Sequence, residues 1–509
     1  AGEGFADVSA VYMLDQNPFT MGTARQAPCQ DGSGAKCEAR WSASVPAKGM
    51  YPVYVSYKTL ENSTSEARYT VTHDGGSTTF LVNQRMGGGT WIYLGTFAFS
   101  GSATVTLSNT VSKNAFRSGS VVTADAVRIG GGMGKTARGQ GSDERGDYLT
   151  SGLPAFAEGA LYSMQWAGVD TTVTGAWSGE YSRDYASRGA WVQDLAKGSA
   201  VDPERKGAGK GAGKNIPVDI SLAFHSDAGV TSCDSLIGTL AIYTLNCDGK
   251  DTYLNGRSRK AARTYADYVQ TQVKKDIDAT FGTTWRRRDI WNRSYSESRT
   301  TGVPGMLLEL LSHQNFADMK YGLDPMFKFT VSRAVYKGIL KFLSQLYGVP
   351  YCVQPLPVSD FAAVLSEDGS KATLSWKAVQ DPLEPTASPT GYILYTRVGD
   401  GAFDRGVILK DVSVQDGVCS TVVALREGVL HSWRIAAYNS GGESFPSEAL
   451  CAGYMPSAKS RVLVVNNFDR VSAPAWVDTP LYAGFDGRTD NGVPWGYDIS
   501  FAGEQYEWR

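Results

Sequence analysis

The chain has 509 residues, 42% hydrophobic and 20% charged, a length that suggests roughly three or four domains rather than one core. With 49 basic and 51 acidic residues there is no global field to recruit nucleic acid or an anionic membrane. No uninterrupted apolar stretch is long enough to cross a bilayer, and no signal peptide is present, although a secreted chain would have lost one.

Residues 1–134 read as all-β. Alternation recurs in YPVYVSYKT (51–59), ARYTVTHD (67–74), TTFLVNQ (78–84), TWIYLGTFAF (90–99) and ATVTLSN (103–109), separated by turn signals such as HDGGS and MGGGT. Short strands at this spacing predict a sandwich or jelly roll. Trp91, Tyr93 and Phe97 fall on one period-2 face, with Tyr51, Tyr57 and Tyr69 as further aromatics. Such a face can stack on sugars, but core filling is the commoner use. GGGTWIYLGTFAF followed by VVTADAVRIGGGMG resembles the golvesin C-terminal-like domain, also described as a xanthan-lyase carbohydrate-binding-like domain. The resemblance implies a β-sandwich accessory module that binds glycan, and no catalytic residue.

The cysteines point to export. Cys29 and Cys37 flank a small Gly/Ser loop, Cys233 and Cys247 bracket another segment, and no Cys-x-x-Cys pair is present. Two local disulfides in an oxidising compartment are expected. The alternative is that all seven cysteines are small buried hydrophobes.

Residues 135–350 change period. KTARGQGSDERGDYLT (135–150) is a linker by composition. GLPAFAEGALYSMQWAG (152–168) predicts a helix ended by Gly168, TTVTGAW a short strand and SRDYASRGAWVQDLAKG a second helix. The Gly/Lys-rich run 198–215 predicts a mobile surface loop. IPVDISLAFHSDAG (216–229), SLIGTLAIYTL (235–245) and VPGMLLELLSHQN (303–315) predict strands, and residues 258–282 and 324–348 predict long helices. Strands alternating with helices predict an α/β domain with a largely parallel sheet.

Residues 355–455 return to β. Trp376, the Tyr392/Tyr395 strand and the AAYNSGGES turn resemble a fibronectin type III domain, which implies a spacer or binding module. In residues 456–509, RVLVVNNFDR (461–470) predicts the opening strand of a further α/β unit that the remaining residues cannot finish.

Two strand ends carry the candidate chemistry. His225 and Glu309 close apolar runs that turn abruptly polar, as buried strands do at the carboxyl edge where open α/β sheets bind ligands. An imidazole and a carboxylate there can hold and use a metal ion. The helix before a short strand (152–175), DYASRGAW, FHSDAG and MLLELLSHQN resemble the zinc-dependent N-acetylmuramoyl-L-alanine amidases of the Amidase type 3 family. That resemblance implies zinc on His225, Asp227 within the same motif and Glu309 as general base. The family's two further zinc ligands have no counterpart in residues 1–150, where His73 reads as a turn residue; Glu158 is the one nearby carboxylate to consider. The domain order resembles Bacteroidetes surface proteins labelled xanthan lyase, in which a golvesin-like domain is inserted within an amidase-like one. On that resemblance the chain is a processed or truncated piece whose missing zinc ligands come from an upstream fragment of the same gene product.

Around the site, Arg287 and Arg288 belong to a basic patch suited to carboxylates or else to a solvated loop. Trp291 and Tyr295 can stack on a sugar ring or pack in a core. His313 lines the cleft, binds metal or caps the strand end; His431 is structural. Together these readings imply a periplasmic, cell-surface or secreted hydrolase of peptidoglycan or a similar cell-wall glycan polymer. The alternative is a non-catalytic glycan-binding or assembly protein with a degenerate amidase domain.

Overall fold

Alternating apolar residues place one face of each early strand in a shared core. The computed structural model describes residues 4–10, 23–32, 34, 36–130, 159–167, 169, 171–175, 177–199, 213–231, 235–465, 471–493 and 504–505. The linker 135–150, most of the 198–215 run, Glu158, Gly168 and Cys233 lie outside these residues. Up to residue 130 every strand pairing between named strands is antiparallel. A four-stranded sheet runs in the order Glu38–Ser44, Ser102–Ser108, Ala67–His73, Gly76–Val82, beside two three-stranded sheets. Val53, Val55, Val71, Val105 and Leu107 fill the core with Tyr57, Tyr69 and Phe99.

The aromatic stripe does not stay on one face. A register shift at Val53/Tyr54, opposite Gly95 at φ 155°, puts Phe97 against the core, while Tyr93 packs on Tyr54 and Trp91 lies under the Arg128 guanidinium that also covers Tyr54. The expected Cys29–Cys37 disulfide is not formed, both being free thiols; Cys247 is also a free thiol, and the Cys233 expected to pair with it lies outside the described residues. Cys29 is buried in the sandwich core, where burial pushes its thiol up against the lowering effect of the Ser120 and Thr64 hydroxyls. Cys37 packs instead beside Gly4.

His73 closes a hairpin. Its Nδ1 accepts the Gly75 N–H at 3.1 Å, so Nε2 carries the proton toward Thr78 Oγ1 at 3.0 Å. Burial holds its pKa below the usual histidine value, with Asp74 opposing. A depressed histidine contributes stability that is present above its unfolded pKa of about 6.5 and lost as pH falls through the lower folded value. The thermal stability of the sandwich is therefore expected to fall below about pH 6.5, and His73→Gln to flatten that slope. Equal slopes for the two proteins would contradict this.

Helices α1 (Ala160–Trp166), α2 (Thr171–Thr174) and α3 (Glu180–Ala196) follow. TTVT is thus helical, not a strand: Val173 closes a small core with Met164 and Val169, and that packing overrides the β preference of its branched residues. Helix α4 (Lys260–Phe281) aligns Tyr265, Val269, Val273 and Ile277 on one buried face and ends at Gly282 in a left-handed turn. Helices α5 (Ser296–Arg299), α6 (Phe316–Gly322) and α7 (Pro325–Tyr347) complete the set. Asp324 caps α7 by accepting the Met326 N–H, Pro325 sits in its first turn, and left-handed Gly348 ends it. Gly338 lets α7 approach α4 closely, because a Cβ there would lie 2.7 Å from Val269 Cα.

The sheet between these helices is mixed rather than largely parallel. Its order is Ser221–Asp227, Gly305–Ser312, Leu240–Tyr243, Trp291–Asn292. The first two strands are parallel, but Leu240–Tyr243 runs antiparallel to Gly305–Ser312. Met306 and Leu308 pack on the α4/α7 core, whereas Leu307 joins Ala223, Leu240 and Ile242 on the opposite face.

Beyond α7, two antiparallel sheets enclose Trp376, Trp433, Leu374 and Ile435. His431 is buried and stacked on Trp433, a structural place. Three cations one turn apart on α7 meet acids. Arg333 lies 2.9 Å from Asp381, Lys337 2.6 Å from Asp276 and Lys341 3.4 Å from Glu384. Of the strand predicted over 461–470, residues 461–465 form none: Val462, Leu463 and Val464 are exposed and pair with no described strand, and 466–470 lie outside the described residues. The described tail instead forms an antiparallel sheet of Trp476–Asp478, Ala483–Asp486 and Glu504–Gln505, with Phe485 packed on Phe316.

Candidate functional site

Parallel pairing sets His225 directly opposite Glu309. Neighbouring strands lie about 4.8 Å apart and equivalent residues point to the same face, so imidazole and carboxylate share one side of the sheet. Two residues on, the register slips: Asp227 faces Ser312 rather than Leu311. This bulge re-aims the strand end. Glu309 Oε2 is buried and has no hydrogen-bond partner among the described residues. Burial pushes the Glu309 carboxyl above its usual range, with Asp227 and Glu297 adding to the effect and His225 and Arg288 opposing it.

The third member is one that sequence reasoning missed. Glu297, on the single turn α5, lies with its carboxylate oxygens 3.1 and 3.2 Å from His225 Nε2. Arg188 of α3 donates to the same carboxylate at 2.8 Å and to Asp184 at 2.6 Å. Asp184 in turn accepts the Leu161 N–H. Burial works to raise Glu297, but His225 and Arg188 outweigh it and hold the carboxyl below its usual range. The Glu297 hydrogen bond raises His225 against its burial.

Asp227 caps the strand end, bonded to Arg288 at 2.6 Å and to the Ala228 N–H. His313 holds Ser226 Oγ at 3.0 Å. Arg288 also lies 5.4 Å from the Trp291 ring, and Arg293 5.7 Å from it. Trp291 and Tyr295 are 38% and 46% exposed, available to solvent rather than packed in a core. Arg287 is not brought into this group, because it pairs with Asp267 of α4. A cavity of about 450 Å³ opens mainly among Phe224, Leu310, Met319, Phe327 and Val331, with His225 and His313 also lining it. Among the described residues no group of three His, Cys, Asp or Glu side chains is close enough to hold a metal ion.

Fold and site together define a multidomain protein built mainly of antiparallel β-sheets, with a histidine–carboxylate cluster on a mixed sheet. Residues 20–131 match the Golvesin C-terminal domain. Among solved structures, a Paenibacillus xanthan lyase is similar at 26% identity over 25% of this chain, with a TM-score of 0.19. The chain spans only 12% of that lyase. The CwlD amidase from Clostridioides difficile, solved with the GerS lipoprotein, aligns at 16% identity over 32% of this chain and 64% of its own, with a TM-score of 0.22. A human fourth FNIII domain aligns at 15% identity over 21% of this chain and 85% of its own, with a TM-score of 0.17. No curated protein matches the chain. Among the described residues no helix is long and apolar enough to cross a membrane.

Proposed function

We propose that this is a periplasmic, cell-surface or secreted zinc amidase-type hydrolase acting on peptidoglycan or a similar amide-linked glycan polymer. The observation that carries the reading is the pairing of His225 with Glu309, whose buried oxygen lacks a partner among the described residues. An imidazole nitrogen and a carboxylate are the donors zinc takes, so the residues present fit that metal as part of a set. His225 would be one ligand, and the others would come from polypeptide outside the described residues, including an upstream fragment of the same gene product. When bound, zinc supplies an acidified water, with a pKa of about 7. Glu309 would serve as the proton acceptor at this site, since burial raises its carboxyl and makes the carboxylate a stronger base. Trp291 and Tyr295 offer faces for a sugar ring, and Arg288 and Arg293 a cationic surface for peptide carboxylates. Residues 20–131 act as the glycan-binding accessory.

Full-length protein should contain zinc by elemental analysis, lose it in His225→Ala and release amino-terminal groups from purified cell wall. A protein without zinc, or with zinc indifferent to His225→Ala, overturns the reading. Binding to cell wall without cleavage favours the non-catalytic glycan-binding alternative.

A further inference from the structure

The strongest unassigned feature is the chain of contacts that ends on His225. Glu297 is only 11% exposed in its side chain, and Arg188 fixes it from the other side. A guanidinium can only donate, so the Glu297 oxygen it meets at 2.8 Å is an acceptor. His225 Nε2, 3.1–3.2 Å from the same carboxylate, must then carry the proton. The neutral ring keeps its lone pair on Nδ1, for which the described residues provide no hydrogen-bond partner.

We infer that Glu297 is a positioning residue: it locks His225 in the Nε2-protonated tautomer and presents Nδ1 as the donor atom. The inference rests on the hydrolase reading for the use of that lone pair, but not for its existence. Metal-binding histidines commonly give their other N–H to a carboxylate, which fixes the ring and raises its donor strength; losing that partner typically costs 10–100-fold in metal affinity. Arg188 and Asp184 serve Glu297 in the same way that Glu297 serves His225. A carboxylate held by a guanidinium cannot swing away from the imidazole.

The test is ¹⁵N NMR of the full-length protein with labelled histidine, freed of metal and at a pH alkaline enough that the rings are neutral, in which side-chain couplings report the tautomer of each ring. His225 should be protonated at Nε2, and Glu297→Gln should give a mixture of tautomers, because an amide can either accept or donate. Arg188→Met, which leaves Glu297 in place but loosens it, should give a smaller admixture and guards against a Glu297 variant that fails to fold. In parallel, chelator competition should show zinc affinity reduced 10–100-fold by Glu297→Gln. A wild-type ring protonated at Nδ1, a tautomer indifferent to Glu297→Gln, or unchanged zinc affinity in that variant overturns the inference. A wild-type protein that shows the expected tautomer but takes no zinc supports the pairing and overturns the hydrolase reading alone.

Discussion

Asp276→Ala is expected to lower the unfolding free energy by about 3–5 kcal/mol, the usual consequence of stranding one charge of a buried pair. Lys337 and Asp276 meet at 2.6 Å with side chains only 1% and 2% exposed. Gln272 donates to the other Asp276 oxygen, and the close approach at Gly338 leaves little space for water to replace the lost carboxylate. Replacing both partners, Asp276→Leu with Lys337→Met, should recover most of the loss, since apolar groups of similar volume can substitute for a buried pair at little net cost. Denaturant unfolding of the two variants decides the matter. A single variant within 1 kcal/mol of the parent would mean that the ammonium finds solvent, contrary to its burial.

Glu309→Gln should reduce cell-wall cleavage by roughly 10²–10⁴-fold with little change in KM, the range typical of a lost general base. Its stability should move the other way. Glu309 has a raised pKa, so its contribution to stability is fully present below the unfolded value and is lost as pH rises through the folded one. At neutral pH the carboxylate is thus a burden on the fold, and Gln should leave stability unchanged or higher. For the same reason the acid limb of the parent's pH–rate profile should lie above the ordinary carboxylate range. A Gln variant that is inactive and less stable would point to misfolding rather than to a lost base.

These two cases mark what could be read from residues alone. That His225 and Glu309 close two strands was legible from apolar runs that turn polar, but only the Glu309 strand is buried; no residue of Ser221–Asp227 is, and that strand stands last in its sheet. Glu297 was not legible: it sits in a four-residue helix with no periodicity, and its role depends on Arg188 and His225, remote in sequence. DYASRGAW did hold a hint, since Asp184 and Arg188 are spaced to pair on one helix face. Strand direction was likewise hidden. Leu240–Tyr243 is four fully buried residues, and such a run reads the same pointing either way. Trp285 lies before three arginines yet is wholly buried, its indole N–H donating to Thr239 Oγ1 at 2.8 Å. The apolar letters of 461–465 suggested a strand, but a strand needs a neighbour, and among the described residues none accompanies them.

The row of cations on α7 has a mechanical meaning. Asp381 and Glu384 belong to the two-sheet part beyond α7, yet their side chains are 6% and 2% exposed and answered by Arg333 and Lys341. Swinging that part away would strip two acids of their counter-charges before water could reach them. It is thus bolted to α7 at two points along one face of the helix, like a bracket.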